Sequence, residues 1–232
     1  MSTLRARPGF VLPALLLLAL ACSRQGPDLS ATSPSTASGG PVQAQPAPIS
    51  PPAAESTPRS ALYTPAEPPP KVDTGIASVA LDDVVFDTFR GGYIPLSQAT
   101  DEEVEELRDS INPIYEPRYG SAESGEWLRD ADLVIGYVSQ DDAYAYPVKM
   151  LNLHEIVNDF IDGVPVLVSY CPLCASAVVY SRELDGQVLL FGNTSALHES
   201  DMVMYDHRTG SYWFQVLGEA IVGPRGSPCF HR

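Results

Sequence analysis

The stretch VPVLVSYCPLCASAVVYS, residues 164–181, decides the fold. Runs of β-branched and other apolar residues lie on both sides of a Cys-Pro-Leu-Cys sequence, and such runs are typical of strands. We predict a strand over 164–170, a turn at CPLC and a second strand over 175–181. The connection is too short for a parallel crossover, so the two strands must be antiparallel neighbours.

Similar signals before and after this hairpin extend the prediction to the rest of the domain. Thr100 and Glu103 have the spacing of a capping box, which predicts a helix over 101–110. Asp185 and Gly186 suit a tight turn between strands. Further strands are predicted over 132–138, 143–146, 187–191, 202–205 and 211–216. The fold class is therefore α+β, with a dominant antiparallel β-sheet and a few short helices.

Residues 1–22 have the order of a lipoprotein signal peptide. Arg5 and Arg7 precede an apolar run that is too short to cross a bilayer and that stops at Cys22. Small or apolar residues directly before Cys22 resemble the bacterial lipoprotein cleavage box, so we expect Cys22 to be lipidated and the protein to be exported and anchored in the cell envelope. Ser23 in place of Asp favours the outer membrane of a didermic bacterium. An ordinary cleaved signal that leaves Cys22 free is the alternative.

The remaining chain divides by composition into a tether and a domain. Residues 23–75 hold 12 of the 22 prolines among Ser, Thr, Ala and Gln, which predicts a disordered, extended linker. From residue 76 to 232 the composition is that of one globular domain. The net charge of −15 argues against nucleic acid or anionic lipid as a partner, so the predicted membrane contact is the lipid anchor alone.

The close pair Cys171 and Cys174 is the sharpest chemical feature. In an oxidising envelope it is a structural disulfide, a metal knuckle or a thiol-disulfide redox couple. The residues after Cys174 resemble a strand rather than a helix, which argues against a thioredoxin fold. A knuckle supplies two metal ligands, so further ligands would come from His154, Glu155, Asp159, His198, Asp206 or His207.

His154 is the preferred third ligand. A helix predicted over 147–159 places it on one apolar face, which should turn the imidazole inward, within reach of both sulfurs. Thiolates with imidazole suit zinc or copper. Glu155 and Asp159 are then candidate catalytic bases for a metal-bound water. His198 and His207 lie in polar surroundings and are expected to be exposed.

These motifs together resemble one bacterial family. HEIVND at 154–159 and YCPLC at 170–174 are followed by a second block formed by Phe191, Gly192, Met204, Tyr205, Asp206, Thr209, Ser211, Trp213 and Gln215. The order is similar to that of the family known as domain of unknown function 3179, over about 111–226. The resemblance implies a domain outline and no agreed activity.

The sequence departs from that family at a few positions. Ser195 and Ala196 stand where Gly and Asn are frequent, and His207 stands where Arg is common. The last residues, 227–232, do not continue the family pattern. We expect a truncated or frameshifted C-terminus there, with no function for Cys229.

Two functional hypotheses follow, with a variant of the second. The first is a metal-binding protein or metal-dependent enzyme that holds zinc or copper through Cys171, Cys174 and His154, with Glu155 or Asp159 as base. The second is a non-catalytic surface module in which the cysteines form a structural disulfide. A thiol-disulfide redox protein using the same two cysteines is the further alternative.

Overall fold

A computed structural model describes residues 63–65, 68–139 and 142–225. The predicted signal peptide, the lipidation at Cys22, most of the tether and Cys229 lie outside the described residues. The α-helices of the described residues are α1 (Asp101–Leu107) and α2 (Val148–His154), and Leu81–Asp83 and Ala122–Gly125 form short 3-10 helices. The strands are β1 (Val84–Asp87), β2 (Tyr93–Pro95), β3 (Ile114–Tyr115), β4 (Val134–Val138), β5 (Ala143–Pro147), β6 (Ile156–Ile161), β7 (Val164–Cys171), β8 (Ser176–Ser181), β9 (Glu183–Leu184), β10 (Gln187–Val188), β11 (Phe191–His198), β12 (Asp201–Asp206), β13 (Tyr212–Phe214) and β14 (Glu219–Val222).

Two sheets pack face to face. One has six strands in the order β14-β13-β12-β11-β1-β2, and the other has four in the order β3-β6-β7-β8. Neighbours are antiparallel, except that β3 and β6 are parallel. The predicted α+β class with dominant antiparallel sheet is confirmed.

Side chains alternate between two buried faces along the strands. Met202 and Met204 of β12 join the core between the sheets, whereas Val203 and Tyr205 join a second core on the other face. Helix α1 contributes Val104 to that second core. On the far side of the four-stranded sheet, α2 and the β4–β5 hairpin cover a third core. The central strands β6, β7 and β12 are thus buried on both faces, which explains why β7 contains a nearly continuous apolar run.

The local turn and cap predictions are confirmed. Thr100 caps α1 in a complete capping box with Glu103. The β4–β5 hairpin forms where two strands were expected, and Asp185 and Gly186 connect β9 to β10 with positive φ at both positions. No helix among the described residues has the length and apolar character needed to cross a membrane.

The helix predicted over 147–159 is wrong beyond His154. Glu155 has φ 57°, which ends α2, and Ile156 begins β6. Six residue pairs then join β6 to β7, so sheet hydrogen bonding replaces the helical pattern. The face expected to point inward is also wrong, because Leu153 is 71% exposed and Leu151 is the buried residue of α2.

Chain packing begins before the boundary predicted between residues 75 and 76. Tyr63 is buried, with its ring edge-on to Phe160 at 5.8 Å between centroids. Arg108 Nη1 donates to the carbonyl oxygens of Pro69 and Pro70 at 3.2 and 3.3 Å. The last part of the proline-rich segment therefore contributes contacts to the domain.

Candidate functional site

The CPLC turn joins β7 to β8 as the sequence predicts. Cys171 is the last residue of β7 and pairs with Ser176, the first residue of β8. Ala175 closes the turn with φ 54°. Both thiols are free; Cys171 is buried in the core between the sheets, whereas Cys174 is exposed at the turn. One sulfur is thus fixed by packing and the other can be reached from solvent.

Asp201 brings a carboxylate to the two thiols. One ligand atom from each of Cys171, Cys174 and Asp201 lies within 4.8 Å of the other two. The Cys174 thiol donates to Asp201 Oδ1 at 2.8 Å, and the backbone N–H of Val216 donates to Oδ2 at 3.0 Å. Asp201 is only 5% exposed, so these hydrogen bonds are what allow an ionised carboxylate to be buried there.

A short polar network positions Asp201. The Ser176 hydroxyl lies 2.9 Å from Asp201 Oδ1 and 2.8 Å from Gln215 Oε1, and its single proton serves one of these acceptors at a time. Gln215 Nε2 donates to the Ser169 hydroxyl at 3.1 Å. The network links both sheets, so the orientation of the Asp201 carboxylate depends on the packing of one sheet against the other.

The electrostatics of this cluster favour a cation. Burial raises the pKa of the Cys171 thiol to about 12; the side chain of Cys174 and the charge of Asp201 act in the same direction, and a backbone hydrogen bond from Cys174 only partly opposes them. The thiol therefore keeps its proton at neutral pH unless a positive charge replaces it. A metal ion does this, because a coordinating thiol gives up its proton.

A small cavity next to Cys171 is lined by Glu155. The Glu155 side chain accepts a hydrogen bond from Asn193 Nδ2 at 2.6 Å, and Leu173 and Met202 also line the cavity. Burial raises the pKa of Glu155 to about 7, which the hydrogen bond from Asn193 only partly opposes. Glu155 therefore exchanges a proton near neutral pH, the property of a general acid or base.

The backbone around this cavity is strained at three non-glycine residues. Asp109, Glu155 and Ser195 have φ of 51°, 57° and 59°. All three meet Asn193, whose N–H donates to Asp109 Oδ1 at 2.7 Å and whose Oδ1 accepts from the Ser195 N–H at 2.6 Å. A β-bulge in β11 falls at the same place. Left-handed non-glycine residues cluster at ligand and catalytic sites, which marks this wall as a functional candidate.

Neither His154 nor Asp159 belongs to the cluster formed by the two thiols and Asp201. His154 Nδ1 is 2.8 Å from the carbonyl oxygen of Asn112, and in the described part of the chain only Asp201 joins the two cysteines as a potential ligand. Asp159 is buried in β6 and accepts hydrogen bonds from the hydroxyls of Tyr119 and Tyr146. Its carboxylate serves that tyrosine pair.

His198 and His207, expected to be exposed, are both buried. His198 Nδ1 lies 3.0 Å from the carbonyl oxygen of Asp83, and the Tyr115 hydroxyl lies 2.8 Å from His207 Nε2. Burial, with the charge of Arg108, lowers the pKa of His207 to about 4. The expectation was wrong because long-range strand pairing covers these polar segments.

Sequence reasoning missed Asp201 and Asn193. Asp201 begins an alternating strand and Asn193 lies within one, so neither belongs to a local motif. Asp201 is 27 positions from Cys174 and Asn193 is 38 from Glu155. The available signal was a polar residue inside an apolar strand, because buried polar side chains need partners.

Comparison with known proteins agrees with the motif pattern. The family model described as protein of unknown function (DUF3179) matches residues 108–227, which include the HEIVND segment, the CPLC turn and Asp201. No curated protein matches the chain, and no solved structure matches it. The match covers just over half of the chain, and the chain belongs to the DUF3179 family.

Proposed function

We propose that this domain binds one transition metal ion, preferably zinc, through Cys171, Cys174 and Asp201. Two thiolates with one carboxylate form a donor set that suits Zn²⁺. Copper(I) is the weaker choice, because it prefers soft thiolate or thioether ligands over a carboxylate oxygen. This proposal keeps the two cysteines of the sequence hypothesis and replaces His154 by Asp201.

The convergence of the three ligand atoms carries the proposal. Tetrahedral zinc with Zn–S bonds of about 2.3 Å needs two sulfurs about 3.8 Å apart. The ligand atoms lie within 4.8 Å of one another, so small side-chain rotations close the set. A bound metal ion would take the place of the Cys171 proton and would supply the positive charge that lets a thiolate stand beside the Asp201 carboxylate.

Because Cys174 is exposed at the turn, a metal held by these three side chains would be accessible from solvent. Zinc sites with three protein ligands and one open position bind water there and lower its pKa to about 7. Glu155 lines the adjoining cavity and is the residue we propose as acid or base toward a bound substrate. Asp159 is not proposed for this role, because its carboxylate is engaged by two tyrosines.

Metal content tests the proposal directly. The full chain is produced without a His tag, purified in a non-ionic detergent and analysed by elemental mass spectrometry. We expect about one zinc per chain, and Cys171→Ser, Cys174→Ser and Asp201→Asn should each lower it by more than tenfold. His154→Gln is the matched control and should keep the metal. The proposal is overturned if the wild type contains no metal after incubation with excess zinc, or if only the His154 variant loses its metal.

Thiol-disulfide exchange is the second candidate, favoured by the pairing of an exposed and a buried free thiol in one turn. The Cys174 thiolate would attack a substrate disulfide and release one substrate thiolate. Cys171 would then displace the second substrate thiol and form a Cys171–Cys174 disulfide, so that two electrons pass to the substrate. Protein that contains no zinc as purified and shows reversible oxidation in a glutathione redox titration supports this candidate over zinc binding.

We also propose that the protein is exported and held in the cell envelope by a lipid on Cys22. The support is the order of charged, apolar and small residues before that cysteine. A palmitate analogue should label the wild type in cells. Labelling that persists in Cys22→Ala contradicts the lipid anchor.

A further inference from the structure

Two exposed apolar side chains line the cavity next to Cys171. Phe89 is 56% exposed and Leu173 is 66% exposed, and both lie at the cavity that Glu155 also lines. Phe89 comes from the loop between β1 and β2, and Leu173 comes from the CPLC turn. One exposed apolar side chain is ordinary on a protein surface, but two that line the same cavity from different sheets provide an apolar surface for a ligand.

Local hydrogen bonds hold Phe89 at this cavity. Its backbone has φ of 54°, an uncommon conformation for an aromatic residue, and its N–H donates to Asp87 Oδ1 at 2.7 Å. The Thr88 hydroxyl donates to the carbonyl oxygen of Gly92 at 2.9 Å and closes the same loop. The position of Phe89 is thus set by its loop rather than by burial in the core.

The charged groups around the cavity are acidic. Of the described residues that line it, Asp87 and Glu155 carry carboxyl groups and none is basic. The metal proposed above does not reverse this balance, since the two positive charges of zinc would face two thiolates and the Asp201 carboxylate. An anionic substrate is therefore repelled from this region, whereas an uncharged one is not.

The inside of the cavity accepts only a small group. Its volume is about 40 Å³, which gives room for roughly three water-sized groups. Met202 contributes an apolar wall, whereas Glu155 and its partner Asn193 contribute polar atoms. A small polar group of a substrate can therefore reach Glu155, while a larger apolar part must stay outside the cavity, across Phe89 and Leu173.

We propose, resting on the function proposed above, that the substrate of this site is an uncharged molecule in which a small polar group is attached to an apolar one, such as an apolar ester or amide. The polar group enters the cavity beside Glu155. The apolar group covers Phe89 and Leu173, which are the specificity-determining residues. Covering these two side chains removes apolar surface from water, whereas a charged group in the same place would lose hydration without gaining a partner.

Alkylation of Cys174 by an apolar and an anionic maleimide tests this substrate class on the full chain in non-ionic detergent, with a chelator present so that the thiols are free. N-phenylmaleimide is uncharged and apolar, whereas maleimidopropionic acid is anionic, and both add the sulfur to the same kind of double bond. Tandem mass spectrometry of the peptide that contains Cys174 gives each rate, and mercaptoethanol gives the intrinsic ratio of the two reagents. We expect Cys174 to favour the apolar reagent by roughly tenfold or more over that intrinsic ratio.

Phe89→Ser and Leu173→Ser should each lower that preference by roughly fivefold or more. Leu133→Ser replaces a side chain that is 72% exposed and lies outside the cavity, so it should keep the preference. Because both reagents share one reactive group, their ratio cancels any change in the ionisation of Cys174. The intrinsic ratio in wild type, or an unchanged preference in either the Phe89 or the Leu173 variant, overturns the proposed substrate class. Zinc content is measured separately on the same wild-type preparation, so failure of the metal site is distinguishable from failure of this preference.

Discussion

Glu155 combines a backbone role and a chemical role in one residue. Its left-handed φ ends α2, and its backbone carbonyl accepts from the Tyr170 N–H at 2.8 Å, one residue before Cys171. Its side chain reaches the cavity wall and meets Asn193. The left-handed backbone of Glu155 therefore does two things: it ends α2, and it directs the half-buried carboxyl group toward the region of the thiols.

The raised pKa of Glu155 makes a prediction about pH. The folded chain holds the Glu155 proton more tightly than the unfolded chain, so this group favours folding most below its ordinary pKa and loses that contribution as pH rises through about 7. Glu155→Gln removes the ionisation and keeps an acceptor for Asn193. In urea unfolding of metal-free protein, the unfolding free energy of the variant relative to that of wild type should rise by up to about 2 kcal/mol between pH 4.5 and pH 8. A difference that does not change with pH contradicts this assignment.

For His207 we expect the opposite dependence on pH, with stability that falls as the pH is lowered. Its pKa falls to about 4 on folding, so below the ordinary pKa of His the unfolded chain takes up a proton that the folded chain refuses. The wild type should therefore lose about 2 kcal/mol of unfolding free energy between pH 7 and 5 through this group. His207→Gln should flatten that part of the pH profile, and a profile as steep as that of wild type argues against a buried neutral imidazole.

At the scale of elements, close contact between β11 and β12 depends on Gly192. A Cβ at that position would lie 2.2 Å from the ring of Tyr205, whose hydroxyl donates to Asp109 at 2.6 Å. The ring cannot move without breaking its hydrogen bond to Asp109, and Asp109 also accepts a hydrogen bond from the Asn193 N–H. A change in the spacing of β11 and β12 would therefore also displace Asp109 and Asn193 beside the cavity next to Cys171.

Gly192→Ala should lower the free energy of unfolding by about 1–3 kcal/mol through overpacking. Gly136→Ala is the matched control, because a Cβ at Gly136 in β4 meets nothing within 4 Å. Thermal unfolding of both variants checks the prediction. Equal melting temperatures for the two variants mean that Tyr205 moves aside at little cost.

At the scale of the whole molecule, residues 63–65 and 68–72 extend the domain upstream of residue 76. Tyr63 packs against Phe160, and Arg108 binds the carbonyls of Pro69 and Pro70. A Cβ at Gly210 would lie 2.5 Å from the Pro70 carbonyl oxygen, so this close approach requires glycine. The described residues of this segment therefore pack against both sheets.

Limited proteolysis should therefore stop nearer to Tyr63 than to Ile76. Gly210→Ala is expected to release the segment, because the added methyl group also disfavours the positive φ of 71°. Mass spectrometry of the protected fragment checks this, with Gly186→Ala, a positive-φ glycine with open space around it, as the control. A wild-type fragment that begins at residue 76 would falsify the packing of this segment.

The sequence by itself determined the CPLC hairpin, the capped α1, the α+β class and the family, because turn residues, caps and strand propensities act over a few neighbouring residues. It did not determine where α2 ends, because a strand buried on both faces has the same apolar content as a buried helix. Only the tertiary structure placed Asp201 beside the two thiols and Asn193 beside Glu155. Those pairs form where β11 and β12 pack over β6 and β7, and packing between distant strands leaves no local sequence signal.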